Sequence, residues 1–334
     1  MALLETNTEQ HISSEAQLRK IIPSYPKMLD KRIRPELDWY CLELIDLSAL
    51  IVTAYGHSNH PMKLLSRKDV FVADSKTIVL SPDIGMSLRS NCVYASLYFL
   101  VPGVGHGLRV NGKVQHHDSQ LVLTVSGVYL HCARAAARAE LWRSRKESAQ
   151  TEVNSLMSPE QFIAASPYLM LKTMNKAGET ELSPRGDQGK IAYLVDKHRL
   201  FIPERPGNKV AISLRNILKN DRVELLMLIP ETAFVMHVHG YATLIQNEQL
   251  LDLVVVNNKR PKLGILLEQC HFSIEQSHAI QQAQPWLSER QVSPDSLTRF
   301  SKALSMHMNG EGLLGKAATP IIDAVVKNDM KNLY

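Results

Sequence analysis

Four sequence anchors recur in the same order in the two halves of this chain, and a duplication constrains a fold more than any other pattern. The run Val70-Phe-Val-Ala-Asp-Ser-Lys-Thr-Ile-Val-Leu-Ser-Pro82 aligns with Ala192-Tyr-Leu-Val-Asp-Lys-His-Arg-Leu-Phe-Ile-Pro203. Each is a pair of short apolar stretches around a polar turn, and each ends at a proline. Leu97-Tyr-Phe-Leu-Val-Pro102 matches Leu225-Leu-Met-Leu-Ile-Pro230, and a glycine follows at a matching distance in each copy, Gly112 and Gly240. The last anchors are Leu141-Trp142 and Pro285-Trp286. The offset grows from 121 residues at Pro82/Pro203 to 128 at Pro102/Pro230 and 144 at Trp142/Trp286. The second copy is thus longer between its proline anchors, and longer again before its final strand.

Within the second copy, Ser158-Pro-Glu-Gln161 has the form of a capping box with proline at the first helical position, which predicts a short helix through Ala165. Tyr168–Thr173 and Glu179–Ser183 read as strands, joined by the turn residues Asn175-Lys-Ala-Gly178. Further strands follow over Ile191–Val195, Arg199–Ile202, Val223–Ile229, Phe234–Thr243 and Leu263–Ile274. Asn208 is placed to cap a helix carrying Val210, Ile212, Leu214, Ile217 and Leu218 mainly on one side. Antiparallel hairpin order with one interposed helix predicts a small closed barrel of about six strands rather than an α/β sheet.

The expected fold class is therefore mainly β, with two barrels in tandem and α-helical extensions. The expected division is a helical N-terminal extension over 1–40, a first barrel over 41–146, a second over 158–288 and a helical C-terminal extension over 289–334. A polar stretch from Arg143 to Ser158 reads as the linker. Ser293–Met308 and Leu314–Asn328 read as amphipathic helices packed against the barrels.

Composition removes several classes. With 45% apolar and 21% charged residues the chain can build packed cores and is not a disordered one. The longest candidate span, Leu42–Tyr55, is broken by Glu43 and Asp46, short of the roughly 20 apolar residues a bilayer needs. The opening MALLETNTEQ has no basic stretch leading into an apolar one, so no secretory signal is expected and the protein reads as cytoplasmic. Cys41, Cys92, Cys132 and Cys270 include no close pair, so buried reduced thiols are expected. A net charge of +5 favours phosphate-bearing ligands but is too dispersed for a nucleic-acid reader.

The densest polar cluster is Ser183-Pro-Arg-Gly-Asp187 followed by Glu204-Arg-Pro-Gly-Asn-Lys209. Arginine, lysine, a small hydroxyl, glycine-freed backbone and a helix start are the groups that hold a phosphate monoester. The same stretches also make an ordinary turn and loop, and composition leaves both readings open.

Together with Leu182-Ser-Pro-Arg-Gly-Asp187 and Leu200-Phe-Ile-Pro-Glu-Arg-Pro-Gly-Asn-Lys209, the runs Ser213-Leu-Arg-Asn-Ile-Leu218 and Arg222-Val-Glu-Leu-Leu-Met-Leu-Ile-Pro230 carry a resemblance. Over about residues 160–290 the chain resembles the pyridoxamine 5′-phosphate oxidase-like, FMN-binding split-barrel proteins. Asn332-Leu-Tyr334 is similar to the end of the same branch. The resemblance implies FMN as cofactor and an FMN-dependent oxidoreductase acting on a small molecule. Its alternative is a non-catalytic flavin- or haem-binding module with an interaction role. It implies Ser183 and Arg185 along the flavin phosphate and ribityl chain, and Arg205, Asn208 and Lys209 as the phosphate clamp. Arg215 and Asn216 are implied as further contacts, their other reading being a solvated helix face.

Relatives dimerise around the flavin, so a tandem implies an intramolecular pseudo-dimer, with a homodimer of that unit left open. The implied partner is a small-molecule substrate or electron donor, with neither nucleic acid nor membrane. The first copy lacks the Arg-Pro-Gly-Asn-Lys clamp, and Leu65-Ser-Arg-Lys-Asp69 is a poor echo of Ser-Pro-Arg-Gly-Asp, so one complete phosphate site per chain is implied. The oxidase's second phosphate site and its arginine–histidine element are missing, and no catalytic acid, base or nucleophile stands out.

Other constellations carry less. His237 and His239 share a strand face without an evident third ligand, so no metal is expected. His116-His117 reads as a solvated turn. Arg134, Arg138, Arg143 and Arg145 read as the solvated basic edge of a helix after the first copy.

Overall fold

The computed structural model describes residues 11–25, 27–56, 61–81, 93–117, 120–143, 157–207 and 209–334. The chain begins with β1 (His11–Ile12), α1 (Glu15–Ile21), β2 (Ile33–Arg34) and α2 (Trp39–Leu47). The first barrel holds β3 (Leu50–Tyr55), β4 (Lys63–Ser66), β5 (Val70–Asp74), β6 (Thr77–Leu80), β7 (Val93–Leu100), β8 (Gly107–His117) and β9 (Gln120–His131). Two short helices follow, α3 (Arg134–Arg138) and α4 (Pro159–Ala165). The second barrel holds β10 (Tyr168–Met174), β11 (Thr180–Gly186), β12 (Tyr193–Asp196), β13 (Arg199–Pro203), α5 (Ile212–Ile217), β14 (Arg222–Leu228), β15 (Phe234–Ile245), α6 (Glu248–Asp252) and β16 (Gly264–Gln276). The chain ends with α7 (His278–Ala283), α8 (Phe300–Asn309) and α9 (Leu313–Lys331).

The two sheets share one strand order. The first runs β4-β3-β7-β8-β9-β6-β5 and the second β11-β10-β14-β15-β16-β13-β12, every pair antiparallel. Even irregularities repeat: the register shifts between Val72 and Asp74 in one hairpin and between Leu194 and Asp196 in the other. The fold is mainly β, two split barrels in tandem. Two expectations need correction. Among the described residues each sheet has seven strands on its main path, not about six, since all seven stretches predicted for the second copy join its sheet. Neither ladder closes, since β11 and β12 remain the two ends. An eighth short strand comes from the N-terminal region, β1 on β15 and β2 on β9.

The central strands explain the apolar runs. Every residue of Leu50-Ile-Val-Thr-Ala-Tyr55 is buried because β3 faces a core on both sides. Ile51 and Tyr55 point into the first barrel, while Leu50, Val52 and Ala54 point into a seam between the barrels. In β10, Leu169 and Leu171 fill the second barrel, and Tyr168 and Met170 enter the same seam. The seam is nearly symmetric: Leu50, Val52, Tyr98 and Leu100 meet their counterparts Tyr168, Met170, Leu226 and Leu228. Trp142 and Trp286, the last anchors of the repeat, face each other with ring centroids 6.1 Å apart. Self-complementary contact of this kind is what a two-fold interface requires.

The capping box at Ser158 forms as expected, with Ser158 Oγ accepting from the Gln161 amide at 3.3 Å and Gln161 Oε1 accepting from the Ser158 amide at 2.9 Å. The expected cap residue, Asn208, lies outside the described residues. The helix after it starts later than expected, at Ile212, behind a left-handed Ala211 (φ 56°). No helix among the described residues is long and apolar enough to cross a membrane.

A polar clasp ties the ends of the chain to the first barrel. Asp38 caps α2 by accepting from the Cys41 amide at 3.0 Å, and its other oxygen meets His307 Nδ1 of α8 at 2.6 Å. His307 Nε2 lies 3.1 Å from the Arg32 carbonyl, so both ring nitrogens are engaged. With Cys41 nearby this is the one cluster of metal-ligand types among the described residues. Burial pushes the Cys41 thiol well up, and the clasp is complete without an ion. Burial raises the Asp38 carboxyl, but hydrogen bonds from His307 and Cys41 outweigh it and bring the pKa down to about 2. A carboxylate depressed in the fold stabilises it above the unfolded pKa and loses that contribution as pH falls through the folded one. Wild-type protein is therefore expected to lose about 1–2 kcal/mol between roughly pH 4 and pH 2 through this group. Asp38→Ala should flatten that part of a urea-unfolding series.

Candidate functional site

The local folding of the second barrel brings the two polar motifs together. The β10–β11 hairpin carries Ser183, Pro184, Arg185 and Gly186 along β11, while β13 ends at Pro203 and releases the loop Glu204 to Gly207. Between that loop and α5 the backbone turns left-handed at Lys209 (φ 63°) and Ala211. Arg19 of α1 holds this turn by donating to the carbonyls of Lys209 and Val210 at 2.9 and 3.3 Å. Ser183, Arg185, Arg205 and Lys209 thus line one cavity of about 590 Å³. Arg215 and Asn216 do not line it. Arg215 pairs with Glu15 at 2.9 Å, and buried Asn216 donates to Thr173 Oγ1 at 3.1 Å.

The other wall comes from the first barrel. Arg109, Tyr129, His131 and Cys132 reach the cavity from β8, β9 and the turn after them, and Arg134 and Arg138 reach it from α3. The approach is possible because residue 186 is glycine. A Cβ there would lie well inside contact distance of the Ala135 carbonyl and 3.0 Å from the Ala139 Cβ. The expected solvated edge is therefore wrong for two of its members, since Arg134 and Arg138 are 9% and 7% exposed. Both donate to the loop of the second barrel, Arg138 Nη2 to the Pro206 carbonyl at 2.6 Å and Arg134 Nη1 at 3.4 Å. The available signal was Arg134-Ala-Ala-Ala-Arg138, two arginines on one helical face with only small residues between them.

Electrostatically the cavity is one-sided. Nine basic side chains line it, against a single acidic one, Glu204. Several of these charges are internally matched. Arg185 pairs with Glu204, while Arg205 puts Nε and Nη2 on Asp187 Oδ2 at 2.7 and 2.5 Å. Arg205 also donates to the Val254 carbonyl at 2.8 Å. Arg138 meets only carbonyls among its hydrogen-bond partners, and burial, then Arg134, lowers its pKa. Burial first, then Arg109 and Arg32, pushes His131 far below its usual range, so its ring is neutral at neutral pH. Arg185 Nε, Arg109 Nε and His131 Nε2 are buried with no hydrogen-bond partner among the described residues. Buried polar atoms are seldom left so. A basic cradle with orphaned donors fits an anionic ligand, and Tyr129 and the His131 ring add flat surfaces beside it.

The pseudo-symmetric position is not equivalent. The shared register matches Arg185 to Leu65 and Gly186 to Ser66. It matches Arg109 to His237, Tyr129 to Ser273 and His131 to Glu275. The stretch of the first copy corresponding to the clamp loop, read as shortened from the sequence, falls largely within 82–92, outside the described residues.

No family model and no curated protein matches the chain. Solved structures do. HupZ of Group A Streptococcus is 17% identical with a TM-score of 0.30, covering 35% of this chain and 91% of its own. A putative pyridoxamine 5′-phosphate oxidase from Lactobacillus delbrueckii is 15% identical with a TM-score of 0.28, covering 37% and 96%. An FMN-binding protein from Syntrophomonas wolfei is 12% identical with a TM-score of 0.25, covering 34% and 80%. Over about a third of its length, then, this chain is similar to solved proteins of the pyridoxamine 5′-phosphate oxidase-like, FMN-binding split-barrel kind.

Proposed function

We propose that the cavity between the barrels binds one FMN per chain and that the protein is an FMN-dependent oxidoreductase acting on a small molecule. The observation that carries this is the basic cavity with its unpartnered Arg185 Nε. In this reading Ser183, Arg185, Arg205 and Lys209 hold the phosphate, and Asn208, outside the described residues, keeps the clamp role the resemblance implies. Glu204 and Asp187 orient the two guanidiniums, leaving their remaining N–H groups to the ligand. Arg109, Tyr129 and His131 of the first barrel face the ring. Bound FMN would supply hydride acceptance at N5, which the protein positions and tunes. The chain's own contribution is to bind, to orient and to exclude water.

The test begins with colour. Protein purified with FMN should be yellow, at one flavin per chain, and Arg185→Glu should lose it. Each charge-assisted contact is worth about 1.5–3 kcal/mol, roughly tenfold to a hundredfold in affinity. Colourless protein that takes up no added FMN refutes the reading. Rapid bleaching by NADH or NADPH and reoxidation by oxygen would support the enzyme.

One observation favours a second reading. His131 Nε2 is buried at the cavity without a partner, as an axial ligand to a haem would be before the haem arrives. A non-catalytic haem- or flavin-binding module would give no reduction across a screen of donors. Haem bound by wild type but not by His131→Ala would favour it.

A further inference from the structure

We propose that Tyr334 is a positioning residue of the cavity, carried there by α9, which fixes Asp187 and through it Arg205. This rests on the anion-binding reading above. The Tyr334 hydroxyl donates to Asp187 Oδ1 at 2.7 Å, while Arg205 takes Oδ2 with both Nε and Nη2. Oδ1 also accepts from the Gln188 amide at 2.9 Å, so loss of the phenol would leave that oxygen held by one backbone donor and the carboxylate less firmly set against Arg205. The Tyr334 ring lies over Arg205 and Arg138, 5.2 and 5.6 Å from ring centroid to guanidinium carbon. Burial, then Asp187, pushes the phenol up to about 12, so it keeps its proton and remains a donor through the neutral range.

The helix that delivers it has little other work in the fold. Of the 19 residues of α9 only Gly315 is buried, at the corner where α9 turns back on α8. Its far end is held by polar contacts. Asp329 pairs with Arg134 at 2.6 Å, the Leu333 carbonyl accepts from Arg138 Nε at 2.6 Å, and the Tyr334 carbonyl accepts from Lys259 Nζ at 2.6 Å. Midway it leans on α8, where Ser301 Oγ donates to Asp323 Oδ1 at 2.8 Å, and Ile322 packs on the first core, so α9 acts as a lightly anchored strap. What it brings to the second barrel is Asn332-Leu-Tyr334, the motif that the phosphate clamp alone leaves without a role.

Tyr334→Phe keeps the ring and removes only the hydroxyl. FMN and riboflavin, which differ by the phosphate, would each be titrated into wild type and variant by flavin fluorescence. Positioning through Arg205 should weaken FMN about tenfold, the worth of one hydrogen bond to a charged group, and leave riboflavin within about twofold. Equal loss for both ligands, or loss for neither, overturns the proposal. Wild type that takes up no flavin would refute the flavin reading instead. Calorimetric titration with inorganic phosphate then decides Tyr334: weaker binding by the variant supports it, and equal or absent binding overturns it.

Discussion

Arg109→Met is expected to destabilise the protein by about 3–5 kcal/mol, the usual cost of breaking a buried ion pair from one side. Arg109 is 4% exposed and crosses from the first barrel to the second, meeting Glu181 at 2.6 Å and the Leu182 carbonyl at 3.1 Å. Its guanidinium also lies 5.0 Å from the centre of the Tyr129 ring. The substitution leaves Glu181, its side chain 15% exposed, with only Asn111 donating to it among the described residues, at 3.1 Å. Burial already raises the Glu181 carboxyl against the pull of Arg109 and Asn111. A carboxyl raised in the fold penalises folding in full above its folded pKa, and the penalty fades as pH falls through that value and is gone below the unfolded one. The deficit of Arg109→Met should therefore be larger at pH 8 than at pH 5 in urea unfolding. Replacing both partners, Arg109→Met with Glu181→Leu, should recover most of the loss. A single variant as stable as wild type would refute the strut.

Gly186→Val should cost about 2–3 kcal/mol, in the range of overpacked cores, and should also remove bound flavin. The side chain has nowhere to go, because the backbone of α3 already occupies the space in front of residue 186. The barrels must then separate locally, withdrawing Arg134 and Arg138 from the loop that carries Arg205. Gly186→Ala is the milder form of the same insult. Thermal unfolding and flavin fluorescence report the two effects independently. Both unchanged would contradict so close an approach.

Much of the fold was legible because its signals are local. Apolar runs and turn residues located the strands of the second barrel to within a few residues, and Ser158-Pro-Glu-Gln161 announced its own helix. The recurring anchors suggested two like halves, and the two sheets have the same strand order. Strand number and closure were harder, since they depend on which hairpin arms find a partner across the sheet. In the site, the motif residues Ser183, Arg185, Arg205 and Lys209 converge as their clustering in sequence suggested. Arg215 and Asn216, only a turn beyond, do not, because the helix they occupy begins after the chain has left the cavity. The places that Arg109, His131, Arg138 and Tyr334 take at the cavity were not legible for another reason. Each acts on groups far away along the chain, and single-sequence patterns do not encode such distances.

Having both barrels on one chain changes what a substitution means. In a dimer of identical barrels every altered residue appears twice, once in each of two equivalent sites, so neither site is free to diverge. Here Arg109 and its counterpart His237 are separate letters of one text. The side that keeps Arg109, His131 and Gly186 holds its cradle, while the opposite side has become His237, Glu275 and Ser66, with His237 Nε2 now 3.1 Å from Glu275 Oε1. The symmetric seam survives because packing needs both halves alike. The cavity residues are not alike, and each barrel supplies one wall of the cavity.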